Sequence, residues 1–349
     1  MSHFSRKISK FLPLFVLLFF VGFSSFGQEH TETAPQDTTA ENQGESEDIG
    51  GFIIHHVLDD HVWHFWDGHH GTWFLPVIVH SSERGWETFS SRNFYDEHHN
   101  TVAYNGYTLS HNHIYLNGNK VFDLSITKNV MMLFITAGLM LVVFLSVARG
   151  FKKNTGKAPK GIQSFFEPII VFVRDEIVKP NVGHKYEKYL PYLLTLFFFV
   201  LFANLLGLMP GAGNLSGNIA VTAVLAIFTF ILTNISGNRA YWGHIFWTPG
   251  VPMVLRPIIM LVELIGIFTK PFSLTIRLFV AITAGHIVLL ALICLAFIFH
   301  SVYVGVASSL MVLFINLIEL LVAGIQAYVF TLFTSLYIGM ATAEHDEHH

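Results

Sequence analysis

The sequence predicts an all-α polytopic membrane protein with five membrane-crossing segments, an interfacial amphipathic helix and a small N-terminal extension outside the membrane. Of the 349 residues, 52% are hydrophobic and only 13% are charged, whereas a soluble domain carries about a quarter charged residues. Apolar runs long enough to cross a bilayer recur after residue 130. The small net charge of −4 and the lack of a basic run argue against a nucleic-acid partner. Membrane lipid is the expected environment, and no cofactor is predicted.

Residues 1–27 have the order of a secretory signal peptide. Basic residues precede an apolar core of about 12 residues, which is too short to span a bilayer, and the small residues Ser24 and Ser25 follow it. We expect cleavage near Gly27 or Gln28. Residues 28–50 are rich in Glu, Thr, Gln and Ser with almost no large apolar side chains, a composition that predicts a flexible tether.

Residues 28–125 form the predicted extension, and its composition becomes aromatic and rich in Gly and His from residue 51 onward. The stretch HIYLNGNKVFDLSI at 113–126 predicts two short strands around an Asn-Gly turn. Eleven of the 20 histidines lie between His55 and His113. They are consistent with a structural or pH-buffering surface, or with a metal site, although their spacing fits no standard zinc pattern.

The membrane domain is predicted over residues 126–344, and its first span is MMLFITAGLMLVVFLSVA at 131–148. Five basic residues lie between Arg149 and Lys160, so the positive-inside rule places that loop in the cytoplasm and the N-terminal extension in the periplasm. Residues 161–178 mix apolar and charged residues, which favours a helix lying in the interface. Further spans are predicted at 190–210 and at about 219–234.

The last third of the membrane domain contains two apolar segments that exceed the roughly 20 residues of a perpendicular crossing. The first runs from about Met253 to His300 and contains Pro257 and Pro271, and the second runs from about Ser301 to Ala341. Their length predicts steep tilt, a kink or a broken helix. Residues 345–349 then form a short cytoplasmic tail.

Arg277 lies inside the apolar stretch SLTIRLFVAITAGH at 273–286, with no acidic residue nearby. An arginine at the bilayer centre costs about 2.5–3.5 kcal/mol on insertion scales, so its presence predicts a function. On a helix, the small residues Ser273, Ala281, Ala284 and Gly285 share its side. Small residues let another helix approach closely.

A second set of polar residues is predicted to meet away from Arg277. His286 is near the opposite face of a straight helix from Arg277, and Asn316, Glu319, Ala323 and Gln326 form one stripe on the last segment. The pair of His286 and Glu319 predicts a proton path, with a structural polar contact as the alternative. Glu263 is consistent with a second water-filled path or with an interfacial ion pair to Lys270.

Several of these stretches together resemble the a subunit of the membrane sector of F-type ATP synthases. The resemblance rests on KPFSLTIRLFVAITAGH at 270–286, on TLFFFVLFANLLGLMPG at 195–211, on the Glu263 segment and on Glu319 seven residues before Gln326. It covers about residues 126–344.

This resemblance implies a proton-translocating stator subunit of a bacterial inner membrane that is not itself catalytic. Arg277 would face a ring of c subunits, His286, Glu319 and Gln326 would border a periplasmic half-channel, and Glu263 would lie near a cytoplasmic one. The b subunits of the peripheral stalk and the rest of the complex are implied partners. The polar or small residues expected to support the path are Ser273, Lys270, Asn204, Asn316, Ala281 and Gly285.

The chain departs from the pattern of many bacterial relatives at two places. His286 and Glu319 are exchanged in type, which keeps the same pair, and Ala281 stands where many relatives have Asn, which removes a polar role there. The main alternative function is a secondary ion or metal transporter with a His-rich outer region, but the two halves show no internal repeat of the kind that such transporters carry. No enzyme signature lies within the spans.

Overall fold

In a computed structural model of the chain, the structure describes residues 59–64, 72–96, 101–110, 113–154, 158–209, 212–247, 252–299 and 302–343. The predicted signal peptide, the flexible tether and the cytoplasmic tail lie outside these residues. The chain divides into two compact units, one of residues up to Val130 with Leu290–Ser309, the other of Met131–Leu289 with residues from Leu310 onward.

The extension is built of short antiparallel strands around an apolar core. In the first sheet, β1 (Val62–His64) pairs with β2 (Thr72–Phe74). In the second sheet, β3 (Pro76–Ser81) lies between β4 (Gly85–Ser90) and β8 (Phe122–Asp123). In the third sheet, β6 (His113–Leu116) lies between β5 (Tyr107–Ser110) and β7 (Asn119–Lys120). Alternate residues of β3 point inward, and Val77 and Val79 are fully buried together with Phe94 and Tyr107.

The Asn-Gly turn predicted in the extension is present between β6 and β7. Asn117 has φ 51° and Gly118 has φ 84°, and positive φ at both central residues is the conformation that a tight two-residue hairpin requires. The second predicted strand is divided, because the chain leaves β7 after Lys120 and then pairs as β8 with β3. The described part of the extension therefore consists of three small antiparallel sheets.

Two half-buried carboxylates bond within the extension, and one of them, Asp59, also bonds to the first turn of α1. The carboxylate of Asp59 accepts hydrogen bonds from the backbone N–H of Asn129 at 3.0 Å and from Thr127 Oγ1 at 2.7 Å. Burial raises the pKa of Asp59, and these hydrogen bonds act against that rise. Burial also opposes ionisation of Asp123, but hydrogen bonds from His61 and Ser125 lower its pKa.

The described part of the membrane domain consists of helices joined by short turns and irregular segments. Its helices are α1 (Lys128–Lys153), α2 (Ile162–Phe172), α3 (Lys179–Val182), α4 (Tyr186–Gly207), α5 (Ile219–Ser236), α6 (Arg239–Phe246), α7 (Arg256–Ile298) and α8 (Val302–Thr342). Within the described residues, five helical stretches are long and apolar enough to cross a membrane: Lys128–Lys153, Ile162–Gly207, Ile219–Ser236, Arg256–Leu295 and Tyr303–Thr342. The prediction of five membrane-crossing segments is confirmed.

The predicted interfacial helix continues into the second span. A π-helical segment, Val173–Val178, links α2 to α3, and a short 3₁₀ turn leads on into α4. Val173, Ile177 and Val178 are fully buried, so this part of the helix packs against protein. The location of α2 at the membrane interface stays a prediction.

The two C-terminal helices are unbroken over the residues that each contains. Helix α7 has 43 residues and passes through Pro271, and α8 has 41 residues. At 1.5 Å per residue each is about 60 Å long, twice the thickness of a hydrocarbon core, which favours steep tilt among the three alternatives. Pro257 is the second residue of α7, where a missing N–H interrupts no helical hydrogen bond.

Polar side chains fix α8 against its neighbours. Asn204 of α4 is 1% exposed and donates from Nδ2 to the carbonyl of Ala323 at 3.3 Å, while Ser216 Oγ donates to its Oδ1 at 2.5 Å. Asn238 donates from its backbone N–H to Ala341 and from Nδ2 to Thr342, both at 2.9 Å. These bonds satisfy carbonyls at the end of α8, where no helical N–H remains to do so.

Gly339 of α8 lies close to the backbone of Asn181, and its substitution tests this packing. A Cβ at Gly339 would meet the carbonyl oxygen of Asn181, a backbone atom that has little freedom to move. We expect Gly339→Val to lower the free energy of unfolding by about 1–3 kcal/mol, the usual cost of overpacking. Denaturant unfolding in detergent measures it. Gly324→Val on the same helix is the control, because nothing lies within 4 Å of a Cβ there; equal effects of both would contradict the packing.

Candidate functional site

Arg277 lies on α7 with its charge unpaired. Its Nη2 donates to Ser273 Oγ at 3.4 Å, and its Cζ lies 4.3 Å from the ring centroid of Phe333 on α8. Nη1 is buried and has no hydrogen-bond partner among the described residues. No ion pair of the described part of the chain includes Arg277. The guanidinium therefore keeps a donor that the described residues leave unused.

Glu319 meets α7 at Gly285. The Glu319 side chain is buried, and all three atoms nearest to a Cβ built on Gly285 belong to it, namely Oε1, Cδ and Cγ. Any larger residue at 285 would occupy the space of this carboxylate. The small residue thus allows α7 and α8 to approach, as the sequence pattern predicts.

His286 and Glu319 line one cavity of about 230 Å³. Ala281, Ala284 and Gly285 contribute small side chains to its wall, and Asn214 from the loop after α4 contributes an amide. A cavity with polar groups and this volume has room for several water molecules. Arg277 is not among its lining residues. The structure therefore brings together the predicted pair and separates it from Arg277.

Asn214 is a polar residue of this cavity that the sequence did not single out. Its Oδ1 accepts the backbone N–H of Gly217 at 2.9 Å, and its Nδ2 is buried without a hydrogen-bond partner in the described part of the chain. In the sequence, the stretch at 210–218 is rich in Pro, Gly and Asn, which indicates a loop and does not point to a site. An unpartnered buried amide facing a cavity needs the water or polar ligand that such a cavity holds.

The remaining residues of the predicted α8 stripe lie on one side of that helix. Ala323 is fully buried and accepts the hydrogen bond from Asn204, while Asn316 and Gln326 are half-buried. Neither Asn316 nor Gln326 lines the 230 Å³ cavity. The stripe therefore continues the polar face of Glu319 in both directions along α8.

Glu263 and Lys270 form a separate polar region nearer the start of α7. The Lys270 ammonium lies 5.3 Å from the ring centroid of Tyr337 and lines a small cavity of about 10 Å³ with Tyr241 and Tyr337. Among the ion pairs of the described residues, none joins Lys270 to Glu263. Because α7 is unbroken, Glu263 is about 21 Å before Arg277 and His286 about 13.5 Å after it along the helix axis.

Two histidines of the extension, His61 and His80, have defined side-chain contacts. His61 is 2% exposed with its Nε2 3.1 Å from Asp123 Oδ2, and the His80 ring centroid lies 4.9 Å from that of Trp86. Over the residues that the structure describes, no group of three or more His, Cys, Asp or Glu is arranged to hold a metal ion. The histidines at 55, 56, 69, 70, 98, 99 and 111 lie outside those residues.

Comparison with known proteins identifies the membrane domain. Residues 130–339 match the family described as the ATP synthase A chain. The chain belongs to this family. Residues 52–131 match a second family, described only as a domain of unknown function, so the extension and the membrane domain meet at the start of α1.

Named relatives cover both parts of the chain. It is 47% identical over 234 residues to ATP synthase subunit a 2 of Chlorobaculum tepidum, a match that covers 65% of this chain and 66% of that protein. It is 40% identical to ATP synthase subunit a of Chlorobium phaeobacteroides over 91% of this chain and 82% of the relative. It is 37% identical to ATP synthase subunit a 2 of Prosthecochloris aestuarii over 99% of this chain and 95% of the relative.

The contact between Gly285 and Glu319 is open to a direct test. We expect Gly285→Ala to displace the Glu319 carboxylate and to lower ATP-driven proton pumping in vesicles of the assembled complex about ten- to a hundredfold, as small displacements in functional sites do. Gly266→Ala on the same helix is the matched control, because nothing lies within 4 Å of a Cβ at that position. Pumping at the control level by Gly285→Ala would show that the contact has no role.

Proposed function

We propose that this chain, as the proton-translocating stator subunit of an F-type ATP synthase, passes protons by way of two polar half-channels that are separated by Arg277. The observation that carries this proposal is the unpaired guanidinium of Arg277 between two polar regions on one unbroken helix. A continuous file of water past Arg277 would let protons cross the membrane without coupling to ATP synthesis. A fixed positive charge between the two regions opposes proton passage there.

The first half-channel opens to the periplasm through the cavity of His286 and Glu319. Its orientation follows from the basic residues Arg149, Lys152 and Lys153 at the end of α1, which mark the cytoplasmic side. Counting the spans from there, α7 starts in the cytoplasm, so His286 lies on the periplasmic side of Arg277. Imidazole and carboxylate both exchange protons at ordinary pH, and Asn214 and Gln326 extend the polar surface around them.

The second half-channel opens to the cytoplasm near Glu263. This residue is half-buried and lies in the first third of α7, on the cytoplasmic side of Arg277. Tyr241 and Lys270 line the small cavity in the same part of the helix. Glu263 is the ionisable group of this region that accepts and releases protons.

The partner that meets Arg277 is a carboxylate of a rotating ring of c subunits. Within a low-dielectric environment the guanidinium favours the ionised form of an approaching carboxylate and so promotes release of its proton. Arginine suits this task because it does not itself lose a proton. The ring then turns by one subunit for each proton that enters from one half-channel and leaves by the other.

The chain is an ion-conducting component and carries out no bond chemistry. ATP is synthesised by other subunits of the complex, to which the b subunits of a peripheral stalk connect this chain. The protein is a multi-pass protein of a bacterial membrane, with the extension in the periplasm and the C-terminus in the cytoplasm. The family match favours this function over a secondary ion or metal transporter.

Substitution of Arg277 tests the central step. We expect Arg277→Ala to lower ATP-driven proton pumping and ATP synthesis by about a hundredfold or more, because the charge that drives proton release is lost. The measurement is quenching of a pH-sensitive dye in vesicles that carry the assembled complex. Arg239→Ala is the control, since Arg239 is an exposed residue at the start of α6. Intact pumping by Arg277→Ala would refute the proposal.

Substitution of the cavity pair tests the periplasmic path. We expect Glu319→Gln, which keeps the size of the side chain but cannot exchange a proton, to lower pumping by about a hundredfold. His286→Ala should lower it in the same direction. The assembly of the complex is measured alongside by the yield of intact enzyme. Unchanged proton flux in both variants would remove the pair from the path.

A further inference from the structure

Four side chains form a continuous series of cation and aromatic contacts between α7 and α8. The Arg277 guanidinium lies 4.3 Å from the ring centroid of Phe333, the Phe333 and Tyr337 centroids are 6.1 Å apart, and the Lys270 ammonium lies 5.3 Å from the Tyr337 centroid. The two cations are seven residues apart on α7, and the two rings are four residues apart on α8. Both spacings keep their residues on one helix face.

From this series we infer that Phe333 is a positioning residue, which holds the Arg277 guanidinium at the α7–α8 contact while no carboxylate is bound. Tyr337 contacts the Phe333 ring, and Lys270 in turn lies over the ring of Tyr337. The inference rests on the proposed function of Arg277 and adds to it a side chain that fixes the position of the guanidinium before a carboxylate arrives.

An aromatic ring suits this task better than a carboxylate of the same chain. A glutamate or aspartate beside Arg277 would form an ion pair, and the arriving carboxylate would then have to displace it. A ring attracts the cation through its quadrupole but leaves its charge intact and its N–H donors available. The unpartnered Nη1 and the long 3.4 Å bond to Ser273 are what such a holding arrangement predicts.

The alternative is that Phe333 only fills space between the helices. Phe333 is half-buried rather than buried, and its neighbour Phe330 is 2% exposed and provides the apolar packing of that turn. A packing role depends on the volume and shape of the ring, whereas a cation–π role depends on its electron density. The two roles therefore respond differently to fluorine on the ring.

Fluorination of the ring at residue 333 separates the two roles. Phenylalanine analogues with one, two, three and five fluorines, introduced at this position in the full complex, reduce the negative charge of the ring face stepwise with little change in shape. We expect ATP-driven proton pumping to fall with each step toward the rate of Phe333→Leu, whose loss is about three- to thirtyfold. Phe333→Tyr and Phe333→Trp should retain most of the activity.

The same series at Phe314 is the matched control. Phe314 is an exposed aromatic residue of α8, and no contact with a cation is described for it. Pumping should not depend on fluorine content at this position. Equal rates across the fluorinated series at 333, combined with a low rate for Phe333→Leu, would overturn the inference in favour of packing. A wild-type rate for Phe333→Leu would overturn it as well.

A spectroscopic measurement keeps this inference distinct from the proposed function. The ring current of Phe333 shifts the NMR signals of the Arg277 guanidinium upfield, and the signal is assigned by its loss in Arg277→Lys. We expect the shift in the wild-type chain and in Phe333→Tyr, and its disappearance in Phe333→Leu. If Arg277→Ala pumped normally while the shift was present, the function of Arg277 would fail and the contact would stand. Absence of the shift in the wild-type chain would overturn the contact itself.

Discussion

The free positive charge of Arg277 inside an apolar helix is the constraint on which the membrane domain depends. A guanidinium inside the membrane costs free energy. Among the described residues, Arg277 donates one long hydrogen bond to Ser273 and lies over the ring of Phe333, and no carboxylate pairs with it. An internal counter-ion would offset part of this cost but would also occupy the guanidinium. The described contacts instead leave Nη1 without a partner, which is what the proposed meeting with a carboxylate of another chain requires.

The length of α7 lets one helix carry Arg277 between two polar regions. Because α7 passes through Pro271 without a break, Glu263, Arg277 and His286 are placed in order along a single axis. Gly285 allows Glu319 of α8 to lie against α7, and Asn204 fixes α8 at Ala323, one turn further along. The proposed function assigns these two regions to the two half-channels on either side of Arg277.

Hydrogen bonds of the extension reach the first residues of α1. Asp59 accepts hydrogen bonds from Thr127 and from Asn129 in the first turn of α1, and Asp123 pairs with the buried His61. The extension therefore continues directly into the first membrane helix. Among its histidines, His61 contacts a carboxylate, and His80 and His113 contact aromatic rings, which is consistent with a packing role for these three.

The sequence by itself determined the class of the protein and its five spans, and it singled out Arg277 and the two residues His286 and Glu319 that line one cavity. Apolar length, helical periodicity and the cost of a buried charge are local properties, so residue order is enough to reveal them. Only the tertiary structure decided that α7 is unbroken, that Asn214 joins the cavity and that Phe333 receives Arg277. The last two features depend on contacts between residues that are far apart in the chain. The spacing of residues within one helix does not reveal which side chains of a second helix will contact it.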